Sequence, residues 1–265
     1  MKENALRKML EAAGRDLKAA KEKYDEIERK LASSGKTDFY LHFTGKQWKS
    51  SFDDIITSYN GIETVVQKLG NPNRNKISNL TAMVQRHKFS VGDVVCLPYS
   101  DDSRRKNEGG LETMLPFNVC QVFDDKILLH CRFAIGNYVF DNGDSNNYKN
   151  SDIRNMLGSL DASFDDALAS HFKQQELKCI DAVKEKFYFL SDKFWLLDFD
   201  ELFTFYPEME DRKRRYLSDG SAAHWWLRYP YTGHSHVEYL VYTSGASSIY
   251  DASYSFGCVP ACILG

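Results

Sequence analysis

The 265-residue chain is 43% hydrophobic and 27% charged, with a formal net charge of −3. Those values exclude wholesale disorder and collagen-like repeats, and they give no global basic field for nucleic acid or an anionic membrane. No apolar run of about 18 residues, the length of a membrane-spanning helix, occurs in the sequence. The charged stretch from Met1 to Leu10 lacks the apolar core of a secretory signal peptide, so a cytoplasmic location is expected. Six cysteines (96, 120, 131, 179, 258, 262) are too sparse for a disulfide scaffold and read as buried, reduced thiols.

Leu6, Leu10, Ala13, Leu17, Ala20, Tyr24, Ile27 and Leu31 form a heptad seam between charged residues. The spacing predicts a coiled-coil-like helix over 1–35 and a homo-oligomer formed through residues 6–31. Residues 36–88 read as a helical region: apolar positions from Phe52 to Leu69 recur at i, i+3, i+4, and a shorter helix is predicted over 76–87. From residue 89 the period becomes two. Val91 to Pro98 predicts a strand, and 118–123 and 126–133 predict a hairpin turning at Asp124-Asp125. Residues 101–110 and 141–150 read as polar loops, and Ser151-Asp152 as a helix start. A short helix over 163–171, a strand at 187–190, a helical turn at 198–203 and short C-terminal strands complete the reading. Without βαβ spacing this argues for an α+β fold.

The composition of residues 229–256 stands apart. These 28 positions hold 6 of the 15 tyrosines (229, 231, 239, 242, 250, 254), six serines and two histidines, and no Lys or Arg occurs from Tyr229 to Gly265. Tyrosine gives large, rigid, amphipathic contact area at low entropy cost, and Ser and Gly let the neighbouring backbone adapt. The expected ligand contacts are Tyr229, Tyr231, His234, His236, Tyr239, Tyr242, Ser247, Ser248, Tyr250, Asp251, Ser253, Tyr254 and Ser255. The competing reading makes them ordinary strand and turn residues.

Five elements recur in order: Val91-Gly92-Asp93, Tyr148 to Leu157 with Ser151, Ile153 and Arg154, Glu185 to Ser191, Trp225-Trp226-Leu227-Arg228, and Gly257-Cys258-Val259-Pro260-Ala261. In this order residues 89–265 resemble the bacterial and phage family of C-type-lectin-like, formylglycine-generating-enzyme-like domains. Within it the chain is similar to the variable proteins of diversity-generating retroelements, which carry hypervariable residues near the C-terminus. Those elements replace adenines in asparagine codons, which never yields Lys, Gln, Met or Trp, and residues 229–256 contain none of the four. Glu238 would then be a fixed residue. The resemblance implies a C-type-lectin-like domain over 89–265, a receptor-like role toward a protein or glycan ligand, and residence in the cytoplasm or a phage particle. No enzyme activity, cofactor or nucleic-acid partner is expected. The alternatives are a formylglycine-generating-type oxidase using Cys258 and Cys262, and an adhesin component with its tyrosines buried between subunits.

Other chemistry reads weakly. His234 and His236 with Asp251 offer three zinc ligands and no fourth, so no metal is expected. Gly233 to Val237 lacks the final glycine of a nucleophile elbow. Asp141 to Asn147 departs from the EF-hand loop. Arg212 to Arg215 reads as a solvated basic loop, Trp225 and Trp226 as structural, and Arg228 as an ion-pairing residue.

Overall fold

The computed structural model describes residues 42–43, 89–99, 113–164, 166–218 and 220–265. The heptad stretch 6–31, the helices expected at 51–69 and 76–87 and the loop 101–110 lie outside the described residues.

The chain runs through β1 (His42–Phe43), β2 (Val94–Tyr99), β3 (Thr113–Val122), β4 (Ile127–Cys131), β5 (Phe133–Ala134) and β6 (Asn137–Val139) to helices α1 (Asp152–Gly158) and α2 (Asp166–Ala169). Strands β7 (Phe172–Lys173), β8 (Gln175–Asp181), β9 (Lys186–Asp192) and β10 (Phe194–Trp195) precede α3 (Phe199–Phe205) and α4 (Met209–Arg212). Then come β11 (Arg214–Tyr216), β12 (Ala222–Ala223), β13 (Trp225–Pro230), β14 (Val237–Val241), β15 (Ser247–Asp251), β16 (Ser255–Gly257) and β17 (Ala261–Leu264).

A seven-stranded sheet has the order β1-β2-β3-β4-β17-β10, with β7 also on β17. A five-stranded sheet runs β15-β14-β13-β16-β6, a three-stranded one β12-β11-β5, and β8-β9 form a hairpin. The first sheet recruits residue 42, so it reaches beyond the expected boundary at 89.

This corrects the expected α+β, C-type-lectin-like class: the described residues are mostly β, 44% strand against 17% helix. The described helices are only four to seven residues long. Helices that short gain little from propagation and serve here as sheet connections. A further strand, β8, lies where none was expected. Its Leu177 and Cys179 point inward while Glu176 and Lys178 stay exposed.

The core centres on β4 and β17, buried at every position. Phe164 stacks on Phe194 at 5.5 Å, and Phe172 meets Phe194 edge-on at 4.6 Å. Two helices start with side-chain caps. Ser151 Oγ accepts the Arg154 amide at 3.3 Å to start α1, which turns Ile153 and Leu157 inward. Asp198 and Glu201 form a reciprocal capping box on α3. Arg228 of β13 grips that end, its guanidinium 2.8 Å from Asp198 and 3.1 Å from Glu201. Burial pushes the Glu201 carboxyl up against the pull of Arg228.

The run Arg212 to Arg215 also differs from its expected solvated loop. Arg212 and Arg214 are buried. Arg212 Nε donates to the Tyr206 carbonyl at 2.7 Å, and Arg214 Nε to the Cys131 carbonyl at 3.2 Å. Arg212 ends α4 and Arg214 opens β11, both turned inward, while Lys213 between them pairs with Glu210 at 2.6 Å.

Candidate functional site: an aromatic surface on the five-stranded sheet

None of the thirteen expected contact residues is buried. Tyr229, Tyr231, Tyr239, Tyr242, Ser247, Ser248 and Asp251 are half-buried. His234, His236, Tyr250, Ser253, Tyr254 and Ser255 are exposed, with Tyr254 at 51%. The frame beneath them is closed: Trp225, Trp226 and Leu227 of β13, Leu240 and Val241 of β14, and the β17 strand are all buried. Trp225 Nε1 donates to the Arg212 carbonyl at 3.1 Å and Trp226 Nε1 to the Tyr138 carbonyl at 3.0 Å. Each indole thereby fills the core and satisfies its donor.

The six tyrosines among the thirteen fall into two groups. In the β14–β15 register Tyr239 opposes Ile249 and Glu238 opposes Tyr250. Directly opposed residues share a face and successive residues alternate. Tyr239 and Tyr250 therefore stand on opposite faces of the sheet.

The first group surrounds Tyr239. Its ring lies 5.9 Å from Tyr229 and 5.8 Å from Tyr231, and Tyr231 stacks on His234 at 5.0 Å. Helix α3 completes it: Phe199 meets Tyr239 edge-on at 4.6 Å and Tyr229 at 5.4 Å, and Phe203 extends the row at 5.3 Å. Burial and the two neighbouring phenols push the Tyr239 hydroxyl up, keeping it a donor. The sequence reading missed Phe199 and Phe203. The signal was Asp198-Phe-Asp-Glu201, a capping-box spacing that fixes both phenylalanines on one side of a helix.

The second group centres on Phe256, also missed. Tyr250 packs on Tyr254 at 4.8 Å and on Phe256 at 5.1 Å, and Trp226 backs Phe256 at 5.0 Å. His224 joins Tyr242 at 5.0 Å to Phe256 at 5.8 Å.

Loops hold the two groups. Asn146 is buried and its amide donates to the carbonyls of His234 at 2.6 Å and Val237 at 2.7 Å. The loop 141–147 is thus a brace for the His234–Val237 turn. His236 Nε2 lies 3.9 Å from Asp251 Oδ1, and no group of three or more metal-ligating side chains occurs among the described residues.

Two polar features lie beneath the surface. Glu238 is fully buried, and neither carboxylate oxygen has a hydrogen-bond partner among the described residues. Burial raises its pKa well above the ordinary carboxylate range, so the group is held as the neutral acid. Around His130, the Tyr206 hydroxyl lies 2.9 Å from Nδ1 and accepts from Asn118 at 3.0 Å, with Arg214 3.1 Å from the same nitrogen. Burial and Arg214 lower the His130 pKa, so the imidazole is neutral and Nδ1 is the acceptor. Cys258 and Cys262 are completely buried free thiols whose pKa values burial raises.

The geometry defines a mostly β protein with rigid, partly exposed aromatic groups on both faces of one sheet and no helix among the described residues long and apolar enough to cross a membrane. The chain belongs to the DUF6273 family, a domain of unknown function, whose model matches residues 122–265. No curated protein matches the chain, and no solved structure matches it.

Proposed function

We propose that this chain is a receptor-like protein that binds a protein or glycan ligand through the Tyr- and Ser-rich residues 229–256, as a variable protein of a diversity-generating retroelement would. The observation that carries the reading is the contrast within the five-stranded sheet. All six tyrosines of this span keep exposed surface, while the tryptophans and aliphatics directly beneath are sealed. Side chains on such a frame can change without unfolding the core. The interlocked rings also lose little rotamer freedom on contact, so more of the contact energy appears as affinity.

The oxidase alternative is poorly served. It needs Cys258 and Cys262 as reactive thiolates, and both are sealed thiols with raised pKa values.

The test screens the protein against a glycan array and a displayed peptide library, and each ligand recovered is measured on Tyr239→Ala and Tyr250→Ala. The reading expects at least a tenfold weaker Kd for one of the two variants. Ligands that bind both variants as tightly as wild type overturn it. The retroelement origin is tested separately: a reverse transcriptase gene should lie nearby, with a near-copy of the DNA for 229–256 differing only at adenines.

A further inference from the structure

Strand β15 is one edge of the five-stranded sheet. The Tyr242 amide donates to the Ala246 carbonyl at 2.8 Å, and the Ala252 amide to the His236 carbonyl at 2.8 Å. In an antiparallel ladder the hydrogen-bonded pairs recur every second residue. The unbroken β14–β15 register therefore turns the backbone of Ser248 and Tyr250 toward β14. The N–H and C=O groups of Ser247 and Ile249 point away from the sheet, as does the Asp251 N–H. Among the described residues none of these groups has a hydrogen-bond partner, whereas the Asp251 carbonyl accepts from Tyr254 at 3.1 Å.

Natural edges are guarded by lysine, proline or a bulge. The β15 sequence Ser-Ser-Ile-Tyr-Asp has no lysine or proline, and its register has no bulge. Ile249 and Tyr250, one on each face, are both 38% exposed. Two carboxylates mark the strand end. The Asp251 carboxylate is 49% exposed, and Asp144 accepts the Ser253 amide at 3.2 Å just beyond. No Lys or Arg lies between Tyr229 and Gly265. The exposed rings of Tyr250 and Tyr254 offer π faces to a cation.

We infer that β15 is an acceptor edge on which an extended peptide segment bearing Lys or Arg adds a sixth strand to the five-stranded sheet. The inference rests on reading 229–256 as the contact surface and names the ligand class: main-chain hydrogen bonds to Ser247 and Ile249 hold the peptide, and its cationic side chains meet Asp251, Asp144 and the phenol faces.

The probe is the octapeptide (Lys-Lys-Val-Val)2, acetylated and amidated, which places lysines on both faces of an added strand; it is titrated to millimolar concentration and followed by hydrogen exchange of single amides. Strand addition slows exchange of the Ser247 and Ile249 amides at least tenfold. Methylating alternate peptide nitrogens on the pairing edge, or replacing Lys by Glu, weakens binding at least tenfold. Ile249→Pro removes an outward N–H without touching the β14 ladder and abolishes the protection. If that variant melts early, the N-methylated peptide still decides. Undiminished binding of the N-methylated peptide, or no protection at saturation, overturns strand addition. If Tyr250→Ala still loses peptide affinity in that case, the contact-surface reading stands. If the Tyr250→Ala and Tyr239→Ala variants both keep it, that reading falls too. Protection that rises with protein concentration in the absence of peptide shows pairing between two copies and also overturns the inference.

Discussion

Arg228 Nη1 stands 2.8 Å from Asp198 Oδ2, joining the middle of β13 to the cap of α3. The same guanidinium reaches Glu201 at 3.1 Å, and its side chain is 2% exposed. One arginine thereby fixes the helix that brings Phe199 against Tyr239. Arg228→Met leaves both carboxylates facing a dry neighbour. Breaking a buried ion pair typically costs about 3–5 kcal/mol, and the partial exposure of the two acids lowers the expected loss to roughly 2–3 kcal/mol. Urea unfolding checks it; a loss of less than about 1 kcal/mol would show that packing alone seats α3.

Glu238 gives a pH signature. Its folded-state pKa lies above the unfolded value, so the folded protein holds this proton more tightly than the unfolded chain does. Stability from that proton is complete below the unfolded pKa and is lost as pH rises toward the folded one. The Glu238→Gln variant carries no such proton. Its melting temperature relative to wild type should be higher at pH 8 than at pH 5. A constant difference across that range would falsify the buried neutral acid.

The cysteines provide a test by modification. Cys120, Cys131, Cys179, Cys258 and Cys262 are buried free thiols, and burial pushes Cys120 and Cys131 up to about 12 and Cys179 up to about 11. Iodoacetamide attacks the thiolate. At pH 8 the native protein should show less than roughly a tenth of the labelling at these five positions that it shows in guanidinium. Rapid native labelling at Cys258 or Cys262, read by peptide mass spectrometry, would revive the oxidase alternative.

Gly245 permits the turn between β14 and β15. Its φ is +86°, and an added Cβ would run into the Met209 carbonyl oxygen. Gly245→Ala should cost about 1–3 kcal/mol from backbone conformation alone, with a further penalty as α4 is pushed away. Thermal unfolding reads the loss, and a variant as stable as wild type would mean that the turn has another conformation.

Local signals in the sequence translated well. The hairpin at Asp124-Asp125 closes with the Phe123 amide on the Lys126 carbonyl at 2.8 Å, and Ser151 caps its helix. Period-two patterning and capping act within a few residues, so one stretch of sequence carries them. The class assignment failed because it depended on weighing short elements. Strand β8 alternates inward Leu177 and Cys179 with Glu176 and Lys178, residue types that are depleted in strands, so its local pattern does not announce a strand. The site was legible as a composition and not as a shape. Tyrosine enrichment in 229–256 marks the proposed contact residues, but only the β14–β15 register divides the tyrosines between two faces. The partnership of Phe199 with Tyr239 joins segments that no local pattern connects. Glu238 stands out in the sequence only as a fixed residue of a Tyr- and Ser-rich stretch, and its full burial shows only in the fold.

Strand β17 lies between partners drawn from distant parts of the chain: Cys262 is opposite Leu129 on one side and Phe194 on the other. Pairings of such long range delay assembly, because loop-closure entropy must be lost before they form. Until β17 docks, β4 and β10 present bare hydrophobic borders that other unfinished chains can capture. Refolding yield should therefore fall as protein concentration rises, and a short peptide matching Ala261–Leu264, added early, should compete for the vacant slot and slow the final step.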